Sequence, residues 1–328
     1  MPKFWMISNR NIEDGGFGTK RDVLTFWYSE QGPLDNFANW KKTDRDNFKQ
    51  QLISTADSFP SIEHGQNENQ SQVSFFIHGY NNTWQDAARR YEKFCGDLFS
   101  GNESLGLCIS FDWPSCGSVL EYLPDRFHAR DCANDLVEVL SELYDWLIKK
   151  QAAAYINQNS ACKAKVSVVS HSMGNYLLQK AMSSAWTRKN QPLLVSLINQ
   201  LVMIAADIDN DLFEDSSDDG TDGDAVANLT YRITALYSGR DAVLGDSAGL
   251  KHFGTRRLGR SGLAKYPPTG KDNVWQVDCS NYFPGDVGGM SIHSAYFEHS
   301  GTLDLIKQIL RGIDRTVLLK QINLVGIN

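Results

Sequence analysis

One serine lies where an apolar run gives way to an amphipathic pattern. The run is Val-Ser-Val-Val at residues 166–169, and the string Ser-His-Ser-Met-Gly follows at residues 170–174. A serine on a sharp turn between a buried strand and a helix has its hydroxyl exposed above the sheet, and small flanking residues let the two backbones approach. The helix dipole at this point favours developing negative charge. The context therefore predicts that Ser172 is a nucleophile.

The residues after Ser172 supply an acid in the order that such a nucleophile requires. A serine hydroxyl needs an adjacent base, and enzymes built on this turn place an acid after the serine and a histidine after the acid. Asp241 follows the apolar run at residues 233–237. It is predicted to accept the histidine N–H and fix the tautomer. Asp207 and Asp209, which follow the preceding apolar run, are the alternatives.

The base must be one of the histidines downstream of Asp241. His293 lies just before a helical pattern at residues 303–310, and a loop leading into the final helix suits a base. His293 is therefore the predicted general base. His299 and His252 are the alternatives.

Acyl transfer also needs N–H donors that stabilise a negatively charged carbonyl oxygen. The first predicted donor is the backbone of Met173, directly after the nucleophile. The second is predicted in the loop after the apolar run at residues 75–77, where Gly79 permits a sharp turn and the N–H of Tyr80 is the candidate. His78 is predicted to be structural, packing beside the serine turn.

An apolar patch after a further run provides a candidate substrate pocket. Trp113 could form a pocket wall, and Leu120, Tyr122 and Leu123 precede a long helical pattern. These residues are predicted to line an acyl or aryl site, or to form a lid. Ordinary packing under a loop is the alternative.

The elements that must position these residues alternate along the chain. Short apolar runs typical of strands buried on both faces are separated by helical patterns, at residues 83–99, 126–149, 172–186 and 303–310. This alternation predicts an α/β fold with a mostly parallel, doubly wound sheet covered by helices on both faces. Two strands near residues 4–8 and 23–28 and a helix near residues 44–56 are predicted to extend one edge of the sheet.

The chain of 328 residues shows no internal repeat and no linker, which predicts a single domain. Residues 1–70 would form the edge, residues 71–312 the core and residues 313–328 a tail. Residues 207–228 are acidic and are predicted to form an inserted loop. Oxygen-rich spacing there could bind Ca²⁺, but the pattern of a calcium-binding EF-hand loop is missing, so a solvated mobile loop is favoured.

Composition excludes several classes of function. The formal net charge of −7 argues against a nucleic-acid surface and gives no reason to expect attraction to anionic membranes. No apolar run is long enough to span a membrane, and the first ten residues lack the apolar core of a signal peptide. The six cysteines fit no zinc signature and are predicted to be reduced, structural thiols. We expect a cytoplasmic protein that needs no metal and no cofactor.

Six strings together resemble a family, the DUF900 branch of the α/β-hydrolase superfamily. They are Phe-Ile-His-Gly-Tyr-Asn at 76–81, Phe-Asp-Trp-Pro-Ser at 111–115, Ser-His-Ser-Met-Gly-Asn at 170–175, Ala-Ala-Asp-Ile-Asp at 205–209, Arg-Leu-Gly-Arg-Ser-Gly at 257–262 and His-Ser-Ala-Tyr-Phe at 293–297. The resemblance covers roughly residues 70–312, with a weak match at residues 8–10. It implies an α/β-hydrolase fold and the positions of the three catalytic residues, and it carries little information about the substrate. Ser170, where the usual motif has glycine, and the acidic insertion are departures from the pattern.

Two classes of function follow from these residues. The first is a serine hydrolase that acts on a carboxylic ester through an acyl-enzyme, with a small-molecule ester or lipid as its substrate. The same chemistry on a thioester, amide or lipid is a variant of it. The second is an inactive hydrolase fold that binds a small molecule or a protein. The intact order of Ser172, Asp241 and His293 favours the enzyme.

Overall fold

A mostly parallel sheet runs through the computed structural model, which describes residues 3–61, 66–115, 122–156, 163–189, 196–251 and 254–325. In these residues the sheet has nine strands in the order β3-β2-β1-β5-β4-β6-β7-β8-β9. The strands are β1 Phe4–Glu13, β2 Gly16–Ser29, β3 Lys41–Thr43, β4 Gln72–Ile77, β5 Gly106–Asp112, β6 Lys165–His171, β7 Ile198–Ile204, β8 Thr230–Tyr237 and β9 Val274–Asp278. Strands β4 to β9 and the β1–β5 pair are parallel, whereas β1, β2 and β3 pair antiparallel.

Helices cover the two faces of this sheet. They are α1 Arg45–Asp57, α2 Trp84–Leu98, α3 Tyr122–Ile156, α4 Gly174–Lys189, α5 Gly220–Leu229, α6 Ala242–Asp246, α7 Leu258–Ser261, α8 Gly289–Ala295, α9 Ser300–Arg311 and α10 Arg315–Val325. Alternate side chains of the central strands point to opposite faces. Phe75 and Ile77 thus join the cluster under α1, α3, α4 and α5, while Phe76 joins the cluster under α2 and α9. The predicted fold class is confirmed.

The predicted apolar runs all form strands that are buried on both faces. Strand β4 is buried along its whole length, and β5 and β6 are buried at all but their first residue. Because such strands have no solvent-facing side, they read as continuous apolar runs rather than as alternating ones. The two predicted N-terminal strands form a hairpin, β1 and β2, that extends the sheet at one edge, as expected.

The predicted helices form where capping residues mark their beginnings. Thr83 caps α2 in a reciprocal capping box with Asp86, and Asp44 caps α1 through the N–H of Asn47. Helix α9 begins after His299 and ends at Arg311, and Gly312, which follows it, has a left-handed backbone. Side chains that satisfy the first N–H groups stabilise a helix start by about 1 kcal/mol.

The prediction of a loop over residues 207–228 is wrong at its C-terminal half. Helix α5 occupies Gly220–Leu229, because Ala225, Val226 and Leu229 give it an apolar face that packs into the core. Acidic residues at its N-terminal end pair with a lysine of α4: Lys180 Nζ lies 2.9 Å from Asp219 and 2.6 Å from Asp222. Within the described residues no group of acidic, histidine or cysteine side chains is arranged to hold a metal ion.

Three further elements depart from the sequence expectations. Strand β9 was not predicted, and helix α10 occupies most of the expected C-terminal tail. His293 lies inside the short helix α8 rather than in a loop, and α9 is followed by α10 instead of being the last helix.

Cys95, Cys108, Cys132 and Cys279 are buried free thiols, while Cys116 and Cys162 lie outside the described residues. None of the described helices has the length and hydropathy that crossing a bilayer demands.

Candidate active site

The sharp turn between β6 and α4 holds Ser172 in a left-handed backbone conformation, with φ of 52°. Non-glycine residues adopt this conformation uncommonly, and such strain is found at functional sites. The turn is fixed by backbone bonds, since the N–H of Ser172 donates to Ile204 O at 3.0 Å and the N–H of Asp207 donates to Ser172 O at 3.2 Å. The Nδ2 group of Asn175 donates to Ser170 O and to Ser172 O.

Two close approaches explain the small residues around this turn. A methyl group added to Gly174 would lie 2.5 Å from His78 O and 2.9 Å from Ile77 O, so only glycine lets α4 start against the end of β4. A methyl group on Gly79 would lie 2.7 Å from Ser172 Cβ. The loop after β4 is therefore packed directly against the serine.

Ser172, His293 and Asp241 form one line of hydrogen bonds. The Oγ atom of Ser172 lies 2.9 Å from His293 Nε2, and His293 Nδ1 lies 2.7 Å from Asp241 Oδ2. A carboxylate oxygen accepts, so Nδ1 carries the proton and Nε2 is left to accept the serine hydroxyl. All three side chains are buried, with Ser172 2% and Asp241 0% exposed.

Asp241 has two roles at the end of β8. Its Oδ1 atom accepts the N–H of Leu244 at 3.0 Å and so caps α6, while Oδ2 accepts from His293. Both carboxylate oxygens are held, which fixes the direction in which the acid faces the imidazole. Arg260 also donates to the backbone carbonyl of Asp241.

The alternative acids and bases lie in other networks. Asp207 accepts from Arg257 Nε at 2.9 Å and from Tyr122 Oη at 2.7 Å, and Asp209 also contacts Arg257. His299 caps α9 by accepting the N–H of Gly301. The third candidate base, His252, lies outside the described residues.

His171, a neighbour of the base that sequence reasoning did not single out, is buried behind it. Its Nε2 atom donates to His293 O at 2.8 Å, and its ring centroid lies 4.8 Å from that of His293. Burial, with the neighbouring side chains of His293 and Arg90 as smaller causes, holds the pKa of His171 well below its ordinary value. His171 is therefore neutral at pH 7. Arg90 completes the contact from α2 by donating to Ser294 Oγ at 3.0 Å.

The predicted oxyanion donors lie beside Ser172. Met173 follows the serine and precedes α4, where the first N–H groups of a helix have no intrahelical acceptor. Gly79 and Tyr80 belong to the loop packed against the serine, and the Tyr80 ring meets that of Tyr122 edge-on at 5.4 Å. Burial, with the carboxylates of Asp125 and Asp207, raises the pKa of the Tyr80 phenol to about 12.

The predicted pocket residues are placed differently from the expectation. Trp113 is 0% exposed, stacks on His78 at 5.4 Å and donates from Nε1 to His78 O, so it supports the loop instead of facing a substrate. Tyr122 is also buried, with its hydroxyl bonded to Asp207. Leu120 and the side chain of Leu123 lie outside the described residues.

A family model described as an alpha/beta hydrolase of unknown function, DUF900, matches residues 60–310. The chain belongs to this family. Strands β1 to β3 and helix α1 precede residue 60, where the match of this DUF900 protein to the family model begins. No curated protein is similar enough to match it.

Solved structures similar to the DUF900 protein are distant. One is a hyperthermophilic esterase from the archaeon Pyrobaculum calidifontis, at 12% identity and a TM-score of 0.35, with 76% of this chain and 78% of that chain covered. Another is one of two fungal esterases from Rhizomucor miehei, at 12% identity and a TM-score of 0.36, with 76% of this chain and 78% of that chain covered. A third is a thioesterase from the prodiginine pathway of Streptomyces coelicolor, at 11% identity and a TM-score of 0.34, with 83% and 98% covered. Identities this low carry no activity across to this chain.

Proposed function

We propose that this DUF900 protein is a serine hydrolase that cleaves carboxylic esters through an acyl-enzyme. Ser172 is the nucleophile, His293 the general base and Asp241 the residue that orients the base. One observation carries the proposal: the hydrogen-bonded line of 2.9 Å and 2.7 Å that joins the serine to the imidazole and the imidazole to the buried acid. Buried groups in this order are what a hydroxyl needs in order to lose its proton as it attacks.

The first half of the reaction acylates the serine. As Ser172 Oγ attacks the ester carbonyl carbon, its proton passes to His293 Nε2, and the carbonyl electrons move onto the oxygen. Asp241 stabilises the imidazolium that results. The tetrahedral intermediate then collapses, the bond from carbon to the leaving oxygen breaks, and the Nε2 proton passes to the departing alcohol.

The second half restores the serine. Water gives a proton to His293 Nε2 and attacks the acyl carbon, and the bond to Ser172 Oγ breaks as the proton returns to that oxygen. In both halves the backbone N–H groups of Met173 and Tyr80 donate to the negatively charged oxygen. Loss of one such donor typically slows turnover by about 100- to 1,000-fold.

An active-site label tests the proposal directly. A fluorophosphonate probe should label the wild-type protein and should fail to label Ser172→Ala. Ser170→Ala is the matched control, because it removes a hydroxyl two residues away that has no hydrogen-bond partner among the described groups. Ser170→Ala should keep wild-type labelling. A well-folded wild type that is not labelled would instead favour a hydrolase fold that serves in binding.

The scissile bond is tested separately. Nitrophenyl esters of graded acyl length, with a matched thioester and amide, should give Ser172-dependent turnover that is fastest for the esters. A lipid or thioester preference would keep the triad and change the substrate class. Turnover that persists in Ser172→Ala would contradict the mechanism.

A further inference from the structure

Four polar side chains that the proposed mechanism does not use are buried together where the ends of β4 and β5 meet the second half of β1. Arg10 is 1% exposed and Asp112 3%, and Ser8 and His78 are each 0% exposed. Buried charges are retained in proteins when they are paired and hydrogen-bonded. Contacts of Arg10 and His78 reach the loop that packs on Ser172.

The network begins in the N-terminal hairpin. Arg10 Nε lies 3.0 Å and 3.1 Å from the two carboxylate oxygens of Asp112, and Ser8 Oγ donates to Oδ2 at 3.1 Å. Although burial opposes ionisation, the charge of Arg10 and the contact with His78 hold the pKa of Asp112 below its ordinary value. Arg10 also donates to Gly18 O at 3.1 Å and to Asn82 O at 3.5 Å.

His78 connects this ion pair to the loop. Its Nε2 atom lies 3.1 Å from Asp112 Oδ1 and 3.2 Å from the backbone N of Trp113, while its Nδ1 atom lies 2.8 Å from Gly79 O. A carbonyl oxygen only accepts, so Nδ1 carries a proton whatever the charge of the ring. Asn82 Nδ2 donates to the same Gly79 O at 2.9 Å.

The rigid peptide plane carries this restraint to the next residue. The carbonyl of Gly79 and the N–H of Tyr80 belong to one planar trans peptide unit, so they point in opposite directions. Two hydrogen bonds that fix the Gly79 carbonyl therefore also fix the direction of the Tyr80 N–H. This peptide unit begins at Gly79, where an added methyl group would lie 2.7 Å from Ser172 Cβ, so the unit starts beside the serine.

We propose that Arg10, Asp112 and His78 are positioning residues that hold the Gly79–Tyr80 peptide with its N–H set as an oxyanion donor. The inference rests on the proposed function, and it makes the N-terminal hairpin part of the active-site machinery. Arg10 lies before residue 60, where the family match begins. The hairpin thus has a role beyond extending the sheet.

The test compares two arginines of the same hairpin. Arg10→Gln removes the network's cation, and Arg21→Gln is the matched control. Arg21 also makes a two-bond pair with an aspartate, Asp135, and among the described residues its side chain makes no hydrogen bond to the loop. For nitrophenyl ester hydrolysis, Arg10→Gln should lower kcat by about 10- to 100-fold with little change in KM, as expected for a donor that acts in the transition state. Arg21→Gln should keep the wild-type kcat, and Arg10→Lys should recover part of it.

A second readout does not depend on activity. With ¹⁵N-tyrosine, the twelve tyrosine amides are observed alone, and Tyr80→Phe identifies the resonance of residue 80. That resonance should shift or broaden in Arg10→Gln and stay in place in Arg21→Gln. If Arg10→Gln does not fold, Arg10→Lys is compared in its place.

The two readouts separate the two hypotheses. A wild type without Ser172-dependent turnover would overturn the proposed function, and the Tyr80 resonance would still decide whether Arg10 orders the loop. An Arg10 variant that matches Arg21→Gln in kcat and leaves the Tyr80 resonance unmoved would overturn the inference.

Discussion

At the scale of single residues, the serine and the histidine are expected to act as one unit. Ser172→Ala and His293→Ala should each lower kcat by about 10⁴- to 10⁶-fold, and the double variant should be no worse than the poorer single variant. The physical reason is that the base has no proton to take once the hydroxyl is gone. Steady-state kinetics on a nitrophenyl ester measures all three variants.

His299→Ala is the control for that prediction. His299 caps α9 and accepts the N–H of Gly301 at 3.2 Å, so its loss should affect stability and leave kcat near the wild-type value. If His299→Ala were inactive while His293→Ala turned over normally, the assignment of the base would be wrong.

A second residue-scale prediction concerns acid stability and His171. Burial holds its folded-state pKa well below the value of about 6.5 that it has in an unfolded chain. Below about pH 6.5 the unfolded state therefore binds a proton that the folded state does not bind. The free energy of unfolding falls as the pH drops below about 6.5, by up to about 1.4 kcal/mol per pH unit. His171→Gln keeps a donor for His293 O and has no titrating ring. Denaturant unfolding between pH 7.5 and 5.5 should give this variant a shallower pH dependence, and equal slopes would contradict the prediction.

Sequence reasoning reached the residues of the hydrogen-bonded line because each belongs to a local pattern. Ser172 and Asp241 follow apolar runs, and His293 follows both in the expected order. The pair of Arg10 and Asp112 has no such pattern, since 102 positions separate the partners and their contact exists only once β1 lies beside β5. Polar residues in separate strands form no local sequence pattern that would indicate a shared hydrogen-bond network.

At the scale of elements, local composition decided what could be predicted. Strands β4 to β8 are apolar runs, and α2 carries an apolar stripe after a capping threonine, so both are visible in the chain. Strand β9 is five residues long and includes polar Gln276 and Asp278, so it does not form an apolar run that predicts a strand. The many aspartates before and within α5 suggested a solvated loop, whereas their pairing with Lys180 requires the neighbouring helix α4.

Two glycines in helices should respond oppositely to the same substitution. Gly96 lies in α2 with no atom within 4 Å of an added methyl group, so Gly96→Ala should raise the free energy of unfolding by about 0.5–1 kcal/mol through lower backbone entropy in the unfolded chain. Gly174 begins α4, and a methyl group added there would lie 2.5 Å from His78 O. Gly174→Ala should therefore lower the free energy of unfolding by about 1–3 kcal/mol. Urea unfolding measures both. Stabilisation by Gly174→Ala would show that α4 does not start against β4.

At the scale of the whole molecule, the N-terminal hairpin packs as part of the core. Trp5 and Ile7 of β1 join the cluster on one face of the sheet, and Met6 joins the cluster on the other. Strand β1 also pairs in parallel with β5, where Ile7 lies opposite Phe111. Apolar burial on both faces and a buried ion pair are the interactions that make separate opening of the hairpin costly.

Hydrogen exchange should therefore find one cooperative unit that includes β1. In low concentrations of denaturant, amides of β1 and β5 should exchange with free energies that agree within about 1 kcal/mol and converge on global unfolding. Strand β3 is the internal comparison, because its three residues lie at the exposed edge of the sheet and should exchange through local opening. If β1 exchanged at the lower free energy of β3, the hairpin would open while the rest of the sheet stayed folded. Arg10 would then leave Asp112 in each opening, and the loop beside Ser172 would lose its restraint on the same timescale.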